Sequence, residues 1–299
     1  MLAIPNVGLG TWQMRAESAK EIIPKALEIG YRHFDCAACC KKFLYVDENE
    51  HFIGESLESA LKAQNILRKD IFITSKLWCT YFRKERAEEC LKNTLRDLKT
   101  DYVDLYLMHW PFAFKEQKGL TSVKDSNGFP VLDQVSFEET WRVMESFVDK
   151  KLVKHIGVSN FSVEQIKEIL SFARIKPSVN QIENHPYLPE PEVVKFCQEN
   201  DIHVTAYSPL GGSWKPVLRD DSTVKAAATM LNISPAQLLL NWQVKRGLSV
   251  IPKTSNPKRL LENFTRVEIP ENVSEMLFSI ETRHRYCDPQ TFWNIAYPE

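Results

Sequence analysis

The chain has 299 residues, 43% hydrophobic and 26% charged, with 38 Lys and Arg against 39 Asp and Glu. That length suits one large α/β domain, and a net charge of −1 gives no basic footprint for nucleic acid or an anionic membrane. No apolar run reaches the ~20 residues of a membrane span. Met1-Leu2-Ala3-Ile4-Pro5 is not a secretory signal. The seven cysteines, odd in number, therefore read as free thiols of a cytoplasmic protein, and a monomer is expected.

Val7 to Trp12 reads as a first strand whose glycines allow close approach of a backbone or ligand. A helix stripe through Ile22, Ala26 and Leu27 ends at Gly30, and Pro24 inside it predicts a late start or a kink. Strands are expected at Tyr31–Ala37 and Ile71–Trp78. Helix stripes follow each, on Ile53, Leu57, Ala60 and Leu61 and on Ala87, Cys90, Leu91, Leu95 and Leu98. Tyr102 to Pro111 is the clearest buried strand, stopped by His109-Trp110-Pro111 because proline cannot donate to a sheet ladder.

Residues from about 112 to 135 read as a long loop, functional or mobile by its length. Ser136-x-x-Glu139 and Ser162-x-x-Gln165 read as capping boxes. Ser234-Pro235-x-Gln237 and Asn256-Pro257 open two later helices. Strands at Lys154–Asn160, Val179–Glu183, His203–Ser208 and Leu248–Thr254 complete eight alternations. That pattern predicts parallel strands joined by crossover helices, hence a single (β/α)8 TIM barrel over residues 1–299, with a C-terminal tail from about 283.

In such a barrel the strand tips form the functional mouth. Here they carry Asp35, Lys76, His109, Ser159-Asn160, Gln181, Tyr207-Ser208 and Lys253. A buried Asp35–Lys76 pair can hold a positive charge beside a phenol and lower its pKa, while His109 orients a carbonyl oxygen. Lys253, Thr254, Ser255 and Arg259 surround a helix start, an anion site. A metal on His33 and the cysteines Cys36, Cys39 and Cys40 is disfavoured, because strand alternation sends His33 and Cys36 to opposite faces and no fourth ligand is evident.

The motifs Gly8-Leu9-Gly10-Thr11-Trp12, Gly30-Tyr31-Arg32-His33-Phe34-Asp35-Cys36-Ala37 and Ser75-Lys76-Leu77-Trp78 resemble those of the aldo-keto reductases. The series continues with Leu105 to Pro111, Ile156 to Phe161, Asn180 to Glu183, Ala206 to Gly211 and Ile251 to Thr254. The resemblance spans nearly the whole chain. It implies hydride transfer between NADPH/NADP+ and a small-molecule carbonyl at an Asp-Tyr-Lys-His site.

By that resemblance Asp35, Lys76 and His109 are catalytic. Ser159, Asn160 and Gln181 would hold the nicotinamide carboxamide, Tyr207 its ring, and Ser208 and Leu210 the pyrophosphate. Gly10, Thr11 and Trp12 would also meet the cofactor. Lys253, Thr254 and Arg259 would take the 2′-phosphate, with Glu262 and Asn263 near the adenine. Trp12, Trp78 and Trp110 would wall the substrate pocket, closed by an aromatic tail from Tyr286 to Tyr297.

Three departures from the family stand out. The chain starts at what is usually the second strand of a hairpin under the barrel, which predicts a poorly covered floor. The segment Gly211 to Ser222 is short. Most seriously, counting from Asp35 puts the catalytic tyrosine at Cys40, whereas counting back from Asn49-Glu50 puts it at Asp47. Lys41 to Asp47 thus reads as an insertion, and Tyr45 is the tyrosine within reach. The alternative to an active reductase is an NADPH-binding barrel with impaired turnover.

Overall fold

The computed structural model describes residues 3–38, 49–118, 121–212 and 215–297. Eight parallel strands form one sheet: β1 (Leu9–Gly10), β2 (His33–Asp35), β3 (Phe72–Leu77), β4 (Val103–Met108), β5 (Val153–Ser159), β6 (Val179–Glu183), β7 (His203–Tyr207) and β8 (Ser249–Val250). They neighbour one another in chain order. The last strand returns to the first through parallel bridges Val7–Val250 and Gly10–Lys253, with Gly8 N donating to Val250 O and Gly10 N to Pro252 O. The sheet is therefore a closed (β/α)8 barrel.

The terminal strands are shorter than the apolar runs suggest, because the seam rests on isolated bridges. Gly10 explains why the seam can close: a Cβ there would lie 2.6 Å from the Ile251 carbonyl oxygen. The barrel floor is partly covered after all. Half-buried Ile4 packs against the cluster of Leu105, Leu107 and Val179, so the short lead-in before β1 supplies an apolar contact.

Helices α1 (Ala16–Ile29), α2 (Glu50–Ala63), α3 (Lys84–Asp97), α4 (Phe137–Asp149), α5 (Val163–Phe172) and α6 (Pro191–Glu199) alternate with the strands. α7 (Ser222–Met230) and α8 (Pro235–Lys245) follow β7, and α9 (Pro257–Phe264) follows β8. α10 (Glu271–Phe278) and the short α11 (Pro289–Trp293) extend the chain back over the barrel.

Pro24 neither delays nor ends α1, which starts eight residues before it; the helix tolerates the lost N–H, and Gln64 Nε2 donates to the Pro24 carbonyl at 2.8 Å. Gly30 ends α1 at φ 117°, where a side chain would be strained. The boxes at Ser162/Gln165 and Ser234/Gln237 close in both directions. At Ser136 only half the box forms: its hydroxyl accepts from Glu139 N, without the reciprocal bond.

The expected loop at 112–135 is instead an antiparallel excursion. Ala113–Phe114 pairs with Leu132–Asp133, and Glu116–Lys118 pairs with Thr121–Ser122. Its polar, glycine-containing sequence hid this pairing, since the strands are two or three residues long. Arg83 clamps it to the start of α3 by bonding both oxygens of Asp133, at 2.9 and 2.8 Å. No helix among the described residues is long and apolar enough to cross a membrane.

Gly54 sits where α2 meets the end of α3. A Cβ there would lie 2.1 Å from the Asp97 carbonyl oxygen and 2.7 Å from Leu98 Cα, contacts with backbone that cannot rotate away. Gly54→Ala is expected to lower stability by about 1–3 kcal/mol, since overpacking outweighs alanine's better helix propensity. Urea unfolding would check this, and an unchanged or raised midpoint would contradict the close approach.

Candidate active site

Three strands bring one polar cluster together at the barrel mouth. β2 ends at Asp35, β3 carries Lys76 and β6 carries Gln181, and alternation turns all three inward. Lys76 Nζ donates to Asp35 Oδ1 at 2.6 Å and to the Cys36 carbonyl at 2.9 Å. Gln181 Nε2 donates to Asp35 Oδ2 at 2.7 Å. With exposures of 7% for Asp35 and 4% for Lys76, the charges are largely desolvated and must pair. An ammonium has three donors, so one remains beyond these two bonds.

His109 follows β4, and its N–H donates to the Leu77 carbonyl at 3.1 Å. Burial, and secondarily the Lys76 charge, hold its imidazole well below the usual pKa, so it is neutral at pH 7. Its Nδ1 and the indole Nε1 of Trp78 are buried without partners among the described residues, and the rings lie 5.3 Å apart. Unpaired buried polar atoms at a mouth are open to a ligand.

Beside this cluster the Asn160 side chain is a hub. Its Nδ2 donates to the His109 carbonyl at 3.0 Å and Ser159 Oγ at 3.2 Å, and its Oδ1 accepts from Tyr207 OH at 2.8 Å. Asn160 and Ser208 sit at positive φ, 67° and 46°, so both strand ends turn sharply. Ser159 Oγ donates to the Gln181 carbonyl at 2.8 Å. For the Gln181 side chain, the hydrogen bond among the described residues is the one from Nε2 to Asp35.

Trp78 and Trp110, each 6% exposed, join an aromatic wall; Trp12, 55% exposed, stands apart from it. The wall is completed by Phe112 and Phe114 from the excursion and Trp293 from α11, whose ring lies 5.1 Å from Trp110 and 6.1 Å from Trp78. The tail therefore packs against these aromatic rings through Trp293. Fully buried Glu183 clasps it, accepting from Tyr286 N at 2.7 Å and Cys287 N at 2.8 Å. Tyr297 OH reaches back to the Asn160 carbonyl at 3.2 Å.

The residues expected to bind an anion lie before and within α9. Lys253 Nζ lies 2.9 Å from Ser255 Oγ, and Asn256 caps the helix by accepting from Lys258 N at 3.0 Å. Arg259 is exposed, with no ion pair among the described residues. Burial lowers the Lys253 pKa, and the charge of Arg15, from the turn before α1, acts in the same direction.

Several expected cofactor groups already serve the fold. Thr11 Oγ1 donates to the Asp35 carbonyl at 2.8 Å, and Glu262 Oε1 accepts from Ser234 Oγ. Thr254 Oγ1 accepts from Asn256 N at 3.0 Å, Asn263 is buried, and half-buried Leu210 packs against both parts of the core. Tyr45 lies outside the described residues, as do Cys39, Cys40 and the whole of Lys41 to Asp47.

Four contributors escaped the sequence reading: Arg15, Glu183, Asn49 and Glu50. Asn49 Nδ2 donates to the carbonyls of Thr11 at 2.8 Å and Met14 at 3.3 Å. Glu50 accepts from Ser75 Oγ at 2.6 Å and Thr94 Oγ1 at 3.0 Å. The one signal was the Asn-Glu pair itself, at the start of a helix beside a mouth strand.

This barrel with its Asp–Lys–His mouth defines a class of redox enzyme, and comparison with known proteins agrees. The profile of the aldo/keto reductase family matches residues 6–281. The chain is 42% identical over 296 residues to aldo-keto reductase family 1 member A1 of Gallus gallus, covering 96% of this chain and 88% of the relative. The Homo sapiens protein of that name is also 42% identical over 296 residues, covering 96% and 89%. The solved aldose reductase of Giardia lamblia superposes with a TM-score of 0.91 at 42% identity, covering 99% of this chain and 98% of that one. For the Schistosoma japonicum aldose reductase the TM-score is 0.89 at 40% identity, covering 99% and 95%.

This chain belongs to the aldo/keto reductase family. It is an oxidoreductase of the carbonyl-reducing kind, and members of that family use a nicotinamide cofactor.

Burial pushes the Glu50 carboxyl up to about 7, against the opposing effect of the Ser75 and Thr94 hydroxyls. A carboxyl raised above its unfolded value holds its proton longer in the folded state. Its contribution to stability is present below about pH 4.5 and is lost as pH rises toward 7. Glu50→Gln removes this titration. The variant is expected to gain about 1–3 kcal/mol on the wild type between pH 4.5 and 8. Parallel stability curves from chemical denaturation would show that Glu50 does not titrate there.

Proposed function

We propose that this protein reduces aldehydes and ketones to alcohols with NADPH, using Asp35, Lys76, His109 and Tyr45, and that it works as a cytoplasmic monomer. The observation that carries the reading is the buried Lys76–Asp35 pair at 2.6 Å beside a neutral His109. A charge pair so desolvated is costly unless used, and perturbed groups at a barrel mouth mark chemistry.

The donor set suits a phosphorylated dinucleotide. Gln181 Oε1 and the Asn160 hub are suited to a carboxamide, with Ser159 between them. Tyr207 would lie against the nicotinamide ring, and Ser208 and Leu210 along the pyrophosphate. Gly10, Thr11 and Trp12 border the same opening. Lys253, Thr254 and Arg259 would take the 2′-phosphate, with Glu262 and Asn263 toward the adenine. Bound there, NADPH supplies the hydride.

The chain's own residues supply the rest. His109, lacking a charge, can donate an N–H to the substrate oxygen without competing for its proton. Lys76, oriented by Asp35, stabilises a phenolate and so makes a nearby phenol a better acid. Tyr45 is the tyrosine between Asp35 and Asn49, and it is assigned as that acid. Trp78, Trp110 and Trp293 exclude water and favour apolar or aromatic carbonyl compounds.

One observation favours a second reading, an NADPH-binding barrel with impaired turnover. The counts from Asp35 and from Asn49 disagree on the tyrosine's place by seven residues.

Two measurements test these assignments. Arg259→Ala is expected to weaken NADPH binding roughly ten- to a hundredfold and NADH binding little, as expected for a charge-assisted phosphate contact. Equal losses for both cofactors would show that Arg259 does not read the phosphate.

Reduction of a reactive aromatic aldehyde at saturating NADPH should fall about 10²–10⁴-fold in both Tyr45→Phe and Lys76→Met. Full activity in Tyr45→Phe with a dead Lys76→Met would move the proton donor elsewhere. A wild-type protein that binds NADPH but turns nothing over would establish the second reading.

A further inference from the structure

Gln181 occupies an unusual position for a residue assigned to the cofactor. Its backbone is locked on both sides: its carbonyl accepts from Asn160 N at 2.9 Å and Ser159 Oγ at 2.8 Å, and it pairs with Thr205 of β7. Its side chain is almost fully enclosed, at 3% exposure. From there Nε2 reaches Asp35 Oδ2 at 2.7 Å, while Lys76 holds Oδ1 of the same carboxylate at 2.6 Å. Asp35 is thus gripped from two sides, by a cation and by an amide 146 residues away in the chain.

We propose that Gln181 is a positioning residue that couples nicotinamide occupancy to the Asp35–Lys76 pair, an inference that rests on the cofactor reading above. An amide has two N–H donors and one carbonyl acceptor. One N–H is spent on Asp35, which leaves the amide carbonyl as the acceptor that a carboxamide would meet. A carboxamide donating to that carbonyl polarises the amide and strengthens its N–H bond to Asp35, because hydrogen bonds in series reinforce one another. The carboxylate is then held against rotation, and Lys76 keeps a fixed partner. Without the amide, Lys76 alone orients the carboxylate, and the ammonium that serves the proton donor loses its fixed direction.

A residue that only holds the cofactor would change affinity alone. The experiment is therefore the single-turnover rate of hydride transfer to an aromatic aldehyde, beside the NADPH dissociation constant, for wild type, Gln181→Met and Gln181→Glu. Gln181→Met is expected to weaken NADPH and also to leave a roughly tenfold slower transfer at saturating NADPH, the scale of one hydrogen bond to a charged group.

Gln181→Glu supplies a signature that packing cannot. The introduced carboxyl can donate to Asp35 only when protonated, so its transfer rate should recover relative to wild type as pH falls from 8 to 5.5. It also covers the case in which the methionine variant fails to fold. Wild-type transfer rates at saturating NADPH in either variant, with only affinity changed, would overturn the inference and leave the reductase reading intact. A wild-type protein that does not bind NADPH, or binds it without hydride transfer, would overturn both.

Discussion

Burying a carboxylate and an ammonium together at the mouth of an apolar barrel constrains everything around them. Neither Asp35 nor Lys76 can be enclosed alone, because each would lose hydration worth several kcal/mol with nothing in return. They must meet at hydrogen-bond distance, and they do so because β2 and β3 are neighbours in parallel register, Asp35 opposite Thr74. The remaining carboxylate oxygen is taken by Gln181 and the Asp35 carbonyl by Thr11, so the end of β2 is held through side chain and backbone alike.

The seam beside it depends on a missing side chain. Gly10 lets β1 approach the Ile251 carbonyl, which closes the barrel and brings Lys253 and the anion cluster to the same rim as Asp35. On the far side, fully buried Glu183 organises the tail in the same manner. Two backbone N–H donors and His185, at 2.8 Å, bond its carboxylate. Those bonds direct the chain from Tyr286 onward across the mouth, where Trp293 completes the aromatic wall. Charge and apolar surface divide the labour: buried polar groups fix the chain's path, and the aromatic rings it delivers exclude water.

Firm structure stands on both sides of the expected insertion. Asp35 anchors one side, and on the other Asn49 and Glu50 tie the start of α2 to the turn after β1, to β3 and to α3. The close approach at Gly54 presses the same helix against the end of α3.

The sequence by itself determined the barrel and most of its rim. Buried parallel strands read as short apolar runs, caps such as Ser162, Ser234 and Asn256 announce helix starts, and polar residues at the run ends mark the mouth. Those signals are local, carried by a few adjacent residues. Only the tertiary structure decided which rim residues meet. Nothing near position 181 announces a bond to Asp35, and the aromatic tail did not announce that Trp293 is the ring that meets Trp110, Phe112 and Phe114. Trp12 looked equivalent to Trp78 and Trp110 yet stands 55% exposed, while they are buried. The antiparallel excursion and the Glu183 clasp were likewise hidden. In each case the energy comes from pairing groups far apart in the chain, and periodicity, capping and propensity carry no information about such pairs.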